Sequence, residues 1–456
     1  MKLDLESAYD RYFLQEVNSV DIQNPCSDYI NEIFLYYFVK YKELDRAASE
    51  IGRSSYSYDA RLTSKSLLFS LNSQRALKIG PLQAALFYMQ ALCAFSLSLT
   101  FSIFLSIALP FIILVKNRKR IFGFKGNFIP RKRVFLVRSK SGFSRAKSFI
   151  EENAESLVVV DDHSGLRVSG QSIYSLLRSS NAPEIYARSL LYTLRDFVSL
   201  YKDAKSLLGI WFAFSVFCEY WKRIPQKALY EACLMKVLDL LPENAEVFSG
   251  EKEDRFALLQ TRCCAQRKLH LICLPHGLEY GFRFPGGLCG ESFYCFSENA
   301  KRTLEALYSS KKFIYSGCVL DKMLGIKPES LSGEVARICF FTEPRDPKVN
   351  LEILDYLAVE GIKCSLKLHP LEDPCFYTDR YRDIEIIEDL EDALKSSVCL
   401  ARKSTILLEA VQRGRRSVAV LVAKKDKFYV DNLFPSLSSE KIVKVMDLRE
   451  LADFLK

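Results

Sequence analysis

From residue 79 to residue 115 the chain carries no Asp, Glu, Lys or Arg. The core of that stretch, AALFYMQALCAFSLSLTFSIFLSIALPFIILV (84–115), exceeds the ~20 residues a helix needs to cross the hydrocarbon layer. The pattern predicts a membrane segment at 81–133, as one tilted span or as a re-entrant hairpin breaking near Pro110. A helical hairpin buried inside a soluble protein is the alternative. The long mixed-charge region before it argues against a cleavable signal peptide. That region, 1–80, reads as helical. Within it YINEIFLYYFVKYKELDRAASEI (29–51) is partly amphipathic and SSYSYD (54–59) is a connection.

Beyond residue 133 the pattern changes to short apolar runs separated by helix-compatible stretches. VFLV (134–137), LVVVDD (157–162), EVFSG (246–250), LICLPHG (271–277), FYCFS (293–297) and FIYSG (313–317) are predicted strands, with 183–240 mostly helical. A second series follows: ARICFF (336–341), KCSLKLHP (363–370), VCLA (398–401) and SVAVLVA (417–423). Between these strands, the helices NLEILDYLAVEG (350–361) and ILLEAVQRG (406–414) each close on Gly. Strands that are apolar on both faces and alternate with helices belong to parallel sheets covered on both sides. The expected fold is α/β, with two Rossmann-like domains at 134–325 and 326–456. A joint between them falls near 320–335.

Composition narrows the function. The chain is 49% apolar and 12% aromatic, which excludes a disordered protein. Its net charge of +9 resembles a nucleic-acid signal, but eight Lys/Arg fall within 116–133, directly after the apolar run. A basic block there reads as a membrane-surface anchor, so no nucleic-acid partner is expected. The 14 cysteines are scattered without a CxxC pair, which favours a reducing compartment. His163, His270, His276 and His369 are too separated for a metal site, and none is expected.

Candidate chemistry gathers at strand ends, where ligands of such sheets bind. RKSTILLE (402–409) places Ser404 and Thr405 just before an apolar helical run. A hydroxyl there caps the helix. The same hydroxyls and backbone N–H groups, with Arg402 and Lys403 beside them, also suit a phosphate. Glu409 is placed either to bind a sugar hydroxyl or to be solvated. His369 ends its strand before Pro370, so the imidazole is offered at the strand tip as a donor to phosphate oxygen. Lys367 shares that side of the strand. Glu343 and Arg345, in TEPRD (342–346), are further candidates for nucleotide contacts. In the first domain His276 and Glu279 follow LICLP, and transfer to a hydroxyl needs an imidazole or carboxylate to take its proton. The alternative for His276 is a packing role in its loop. Neither GxGxxG nor GxxxxGK[ST] is present.

LPHG (274–277), KLHP (367–370) and ARKSTILLEA (401–410), at these separations, resemble the motifs of GT-B-fold bacterial surface-polysaccharide transferases. That group includes capsular polysialyltransferases and the CDP-glycerol glycerophosphotransferases of teichoic-acid synthesis. The resemblance covers about 134–456. It implies a GT-B-like pair of domains, the first on the acceptor side and the second on the nucleotide-donor side, in which His369, Ser404 and Thr405 contact the nucleotide phosphate and His276 faces the reaction centre. Arg402 and Lys403 depart from the pattern, since related teichoic-acid enzymes often carry an Asp before the paired hydroxyls. The expected activity is an inverting, metal-independent glycosyltransferase that requires no cofactor. Its donor would be a nucleotide-sugar, with a CMP-linked acidic sugar favoured, and its acceptor a glycan or lipid-linked glycan. Envelope-polysaccharide assembly proteins are further expected partners. The basic flank places the catalytic domains on the cytoplasmic face of a bacterial inner membrane. A CDP-polyol phosphotransferase of the same fold and a non-catalytic envelope-assembly protein are the alternatives.

Overall fold

The computed structural model describes residues 11–20, 22, 25–39, 81–123, 131–153, 155–163, 165–326 and 335–456. The predicted helix beyond Val39, the connection at 54–59, the middle of the basic block and the joint at 327–334 lie outside the described residues. The chain divides into two compact units, chiefly 12–276 with 283–293, and 277–282 with 294–456.

The uncharged run forms one helix, α1 (Pro81–Lys116), of 36 residues. The hairpin is therefore not formed. Pro110 lies inside the helix, where it lacks the N–H that would bond the carbonyl of Ser106. A short helix, α2 (Arg118–Gly123), follows. One face of α1 carries Ser98, Ser102 and Ser106, all buried and spaced by four residues. Ser102 Oγ donates to the Trp221 carbonyl at 2.9 Å, and Ser106 and Thr193 join hydroxyl to hydroxyl at 2.7 Å. Small polar side chains let the neighbouring helices come close while satisfying their own hydroxyls.

The first sheet contains β1 (Arg133–Val137), β2 (Leu157–Val160), β3 (Gln171–Ser172), β4 (Glu246–Ser249), β5 (His270–Cys273), β6 (Ser292–Tyr294) and β7 (Lys312–Ile314). Its order is β3-β2-β1-β4-β5-β6-β7, with parallel pairing from β3 through β6. The strand order reverses between β1 and β4. Helices α3 (Lys140–Glu151), α4 (Ala182–Leu208), α5 (Ile210–Tyr220), α6 (Arg223–Asp239) and α7 (Arg255–Gln266) belong to this unit. Ser139 caps α3 by accepting from the Gly142 N–H, and Asp254 caps α7 by accepting from Phe256 and Ala257.

The second unit holds α8 (Glu298–Leu307) and a sheet of β8 (Val335–Phe341), β9 (Ser365–Lys367), β10 (Ser396–Ala401), β11 (Arg416–Val420) and β12 (Ile442–Val445). Their order is β12-β11-β10-β8-β9, all parallel. Phe340, Leu400 and Val418 are fully buried in the strands, consistent with helices covering both faces. Helices α9 (Pro347–Val359), α10 (Ile406–Gln412) and α11 (Lys424–Phe428) connect successive strands or follow them. Two parallel α/β sheets are thus present, as two Rossmann-like units require. The pattern did not announce β3 or β12, of two and four residues.

Candidate active site

Parallel pairing sets three loops side by side at one edge of the second sheet. β8 lies between β9 and β10, so the turns that leave their carboxyl ends are neighbours. The strand order reverses between β8 and β10, which is where an open α/β sheet leaves a crevice for ligand. With strands ~4.8 Å apart, the tips of β9 and β10 stand roughly 10 Å apart, with the β8 loop between them.

Side chains lock these turns together. Arg402 is 2% exposed, and its guanidinium donates to the carbonyls of Arg345 and Asp346 at 3.0 and 2.9 Å and to Asn350 Oδ1 at 3.2 Å. Its Nε reaches Asp426 at 2.5 Å. The sequence reading offered Arg402 to a phosphate. The structure turns it inward, as the tie between the β10 and β8 loops. Asp426, fully buried in α11, also takes Lys403 as an ion partner. Burial lowers the Lys403 pKa, against the opposing pull of Asp426. The ammonium lies 5.1 Å from the Tyr429 ring centroid.

The β9 turn has its own organiser. Glu372 accepts from the Tyr377 hydroxyl at 2.6 Å, from the Thr342 hydroxyl, and from the His369 backbone N–H at 3.1 Å. Asn350 closes the network by donating to Tyr377 at 2.9 Å. His369 itself is exposed. Its Nδ1 accepts from the Leu371 N–H at 3.2 Å, which fixes the tautomer with the proton on Nε2 and makes that atom an outward donor.

The residues that remain partly or fully open at this edge are Glu343, Arg345, Lys367, His369, Lys403, Ser404 and Thr405. Ser404 Oγ accepts weakly from the Ile406 N–H at 3.3 Å, and the Thr405 side chain makes no capping bond. Glu409, offered earlier to a sugar hydroxyl, is buried at 6% exposure. Asp426 and Glu372 were missed. Their only sequence signals are an acid inside the lysine run AKKDKF and a carboxylate three residues after His369.

The first sheet presents different chemistry at its own reversal point. Arg138, just after β1, pairs with Asp161 at 2.9 Å and lies 3.9 Å from both Glu251 and Asp254. Burial, reinforced by Asp254, pushes the Glu251 carboxyl up to about 8. Five acidic residues (Asp161, Asp162, Glu251, Glu253 and Asp254) gather at this corner, answered by Arg138, by Arg120 at 3.7 Å from Asp162 and by Lys252 at 3.4 Å from Glu253. Gly250 permits the tight packing of this corner, since a Cβ on it would stand 2.9 Å from the Gly142 Cα. His276 is anchored on the same turn, its Nδ1 2.5 Å from the Gly250 carbonyl. A carbonyl only accepts, so Nδ1 carries the proton and the neutral ring keeps a lone pair on Nε2. The two candidate histidines thus have opposite tautomers. His369 offers a donor and His276 an acceptor.

Glu279 belongs to the second unit and is 2% exposed. Its carboxylate accepts from the Phe296 N–H at 2.6 Å and from the Ser436 hydroxyl at 2.7 Å. Arg255 is likewise held by Glu32 at 2.6 Å. Among the described residues no group of three His, Cys, Asp or Glu is arranged to hold a metal ion.

No family model and no curated protein matches the sequence. Similar solved structures include two UDP-GlcNAc 2-epimerases. The one from Methanocaldococcus jannaschii is 10% identical, with a TM-score of 0.39, covering 70% of this chain and 90% of that one. The one from Neisseria meningitidis, bound to UDP-GlcNAc, is 11% identical, with a TM-score of 0.39 and coverage of 71% and 90%. The E. coli heptosyltransferase WaaC with ADP-2-deoxy-2-fluoro heptose is 11% identical, with a TM-score of 0.27 and coverage of 70% and 96%. At such scores these likenesses carry no argument. The fold rests on the strand pairing itself: two parallel α/β sheets, the second with an open edge of hydroxyls, imidazole and cations.

Proposed function

We propose that the protein is a glycosyltransferase that moves a sugar from a nucleotide-activated donor to a hydroxyl of a glycan or lipid-linked glycan. One observation carries the reading. The β8, β9 and β10 loops meet at a reversal of strand order, where Arg345, the Nε2–H of His369 and the hydroxyls of Ser404 and Thr405 are all available to an anion.

In the proposed reaction the acceptor oxygen attacks the anomeric carbon with inversion, and the bond from that carbon to the donor's phosphate oxygen breaks. His276 Nε2 takes the hydroxyl proton. Charge that builds on the departing phosphate is met by His369, Ser404, Thr405 and Arg345, which act where a metal ion otherwise would. A CMP-linked acidic sugar is the favoured donor, and the cytoplasmic face of a bacterial inner membrane the favoured location.

Labelled CMP-sugar, UDP-sugar and CDP-polyol donors, offered with membrane-glycan acceptors, test the reading. Transfer of sugar label, reduced about 100-fold or more in kcat/KM by His369→Ala, is the expected result. Transfer of a polyol phosphate alone replaces the activity with that of a phosphotransferase, and no transfer by folded protein from any of these donors overturns both.

A further inference from the structure

We propose that α1 is a membrane seat lying in the plane of an anionic bilayer, engaging lipid along one face instead of crossing it. The inference stands apart from the donor chemistry. The helix has two unlike sides. Its serine face is buried against α4 and the end of α5, as described above. The opposite side exposes Leu97, Phe101, Phe104, Ile107, Phe111, Ile112 and Val115, at 48–73% of their full accessible area. A soluble protein seldom leaves so long an apolar stripe in water.

A crossing is opposed by what is bound to the other side. α4 runs antiparallel beside α1, shown by Phe111 stacked on Tyr186 at 5.7 Å, Ser106 on Thr193 at 2.7 Å and Phe95 near Tyr201 at 6.0 Å. Between those points α4 carries Arg188, Arg195 and Asp196. Asp196 joins the fully buried Lys227, which also pairs with Glu231 and Asp28. Placing α1 upright would draw this charged layer into hydrocarbon. Lying flat leaves it on the water side, with only the apolar stripe in the acyl boundary. The adjoining α4 exposes Leu191, Leu194 and Val198 as well.

Charge selects the occupant. Lys116, Arg118 and Lys119 are exposed where the stripe ends, and no acid lies among residues 79–120. Such a cationic edge beside an apolar stripe fits anionic lipid headgroups. A second copy of the chain, itself at +9, offers the edge no comparable negative field.

Flotation of the full-length protein with phosphatidylcholine vesicles, with and without 30% phosphatidylglycerol, tests the proposal. Binding to the anionic vesicles is expected, reversed by alkaline carbonate. It should fall at least ~10-fold in the double variant Phe104→Asp/Phe111→Asp, and become weaker and less salt-sensitive in Arg118→Gln/Lys119→Gln. Circular dichroism and thermal melting confirm that each variant is folded. The proposal is overturned if folded protein ignores both vesicles, if the aspartate pair leaves binding unchanged, or if bound protein resists carbonate as a crossing helix does. A dimer in solution that the aspartate pair dissociates, without vesicle binding, would assign the stripe to a second copy.

Discussion

Single residues separate structural work from chemical work most sharply at Glu279. Its carboxylate is buried and satisfied by the Phe296 N–H and Ser436 hydroxyl. Removing an acceptor from two buried donors costs about 1–3 kcal/mol each. Glu279→Ala should therefore lower the melting temperature by several degrees while turnover, measured well below the new transition, stays within about threefold of wild type. A collapse of kcat without loss of stability would restore Glu279 as the base. Glu251 invites a pH test. Its folded carboxyl titrates near 8 against an ordinary value of 4.5. Between those values the unfolded chain ionises and the folded one does not, so stability contributed by the neutral group below pH 4.5 is lost as pH rises through 8. Glu251→Gln should flatten the decline in melting temperature from pH 5 to pH 8. An unchanged slope contradicts the assignment. Such roles were not legible from sequence, because an acid in a loop reads alike whether it meets solvent, a cation or another acid.

At the scale of elements, the periodic apolar runs located most strands, since a strand covered on both faces has no polar position to disguise it. They failed at β3, whose two residues are too few for a period, and at β12, where Lys444 interrupts the apolar run IVKV. The long uncharged run was read correctly as helical, but not its two-sidedness. Nothing in the run set Ser98, Ser102 and Ser106 apart, and only the partners at Trp221 and Thr193 reveal a packing face. The donor-side loops show the same limit. Paired hydroxyls and His-Pro at strand ends were visible in the sequence, whereas the inward turn of Arg402 depends on Asp426, 24 residues later. That acid is the sole carboxylate within bonding range of Arg402 and Lys403 among the described contacts. Asp426→Ala leaves the buried Arg402 and the partly buried Lys403 without it and should cost about 3–5 kcal/mol, read as a fall in the denaturation midpoint. Asp426→Asn, which keeps one acceptor, should be milder. Equal stability of wild type and alanine variant would show that the tie between the β8 and β10 loops is idle.

At the scale of the whole molecule, the two units differ in the chemistry of their sheet edges. The first concentrates carboxylates at its strand-order reversal and carries the apolar helix α1. The second presents hydroxyls, an imidazole Nε2–H and an exposed Arg345 at its own reversal point. The sequence carried the succession of two α/β units, because alternating strand and helix periods survive without any alignment. It could not carry the contrast between the two sheet edges, which arises from residues as far apart as Arg138 and Asp254 meeting in space. The most direct test is calorimetric titration of the full-length protein with CMP, UDP and CDP and with their sugar conjugates. Binding of at least one nucleotide-sugar should be saturable and weakened about tenfold or more by Thr405→Ala and by His369→Ala, each keeping its wild-type melting temperature. Saturable binding that both variants leave intact, or no binding of any nucleotide by folded protein, would contradict a donor site on the second unit.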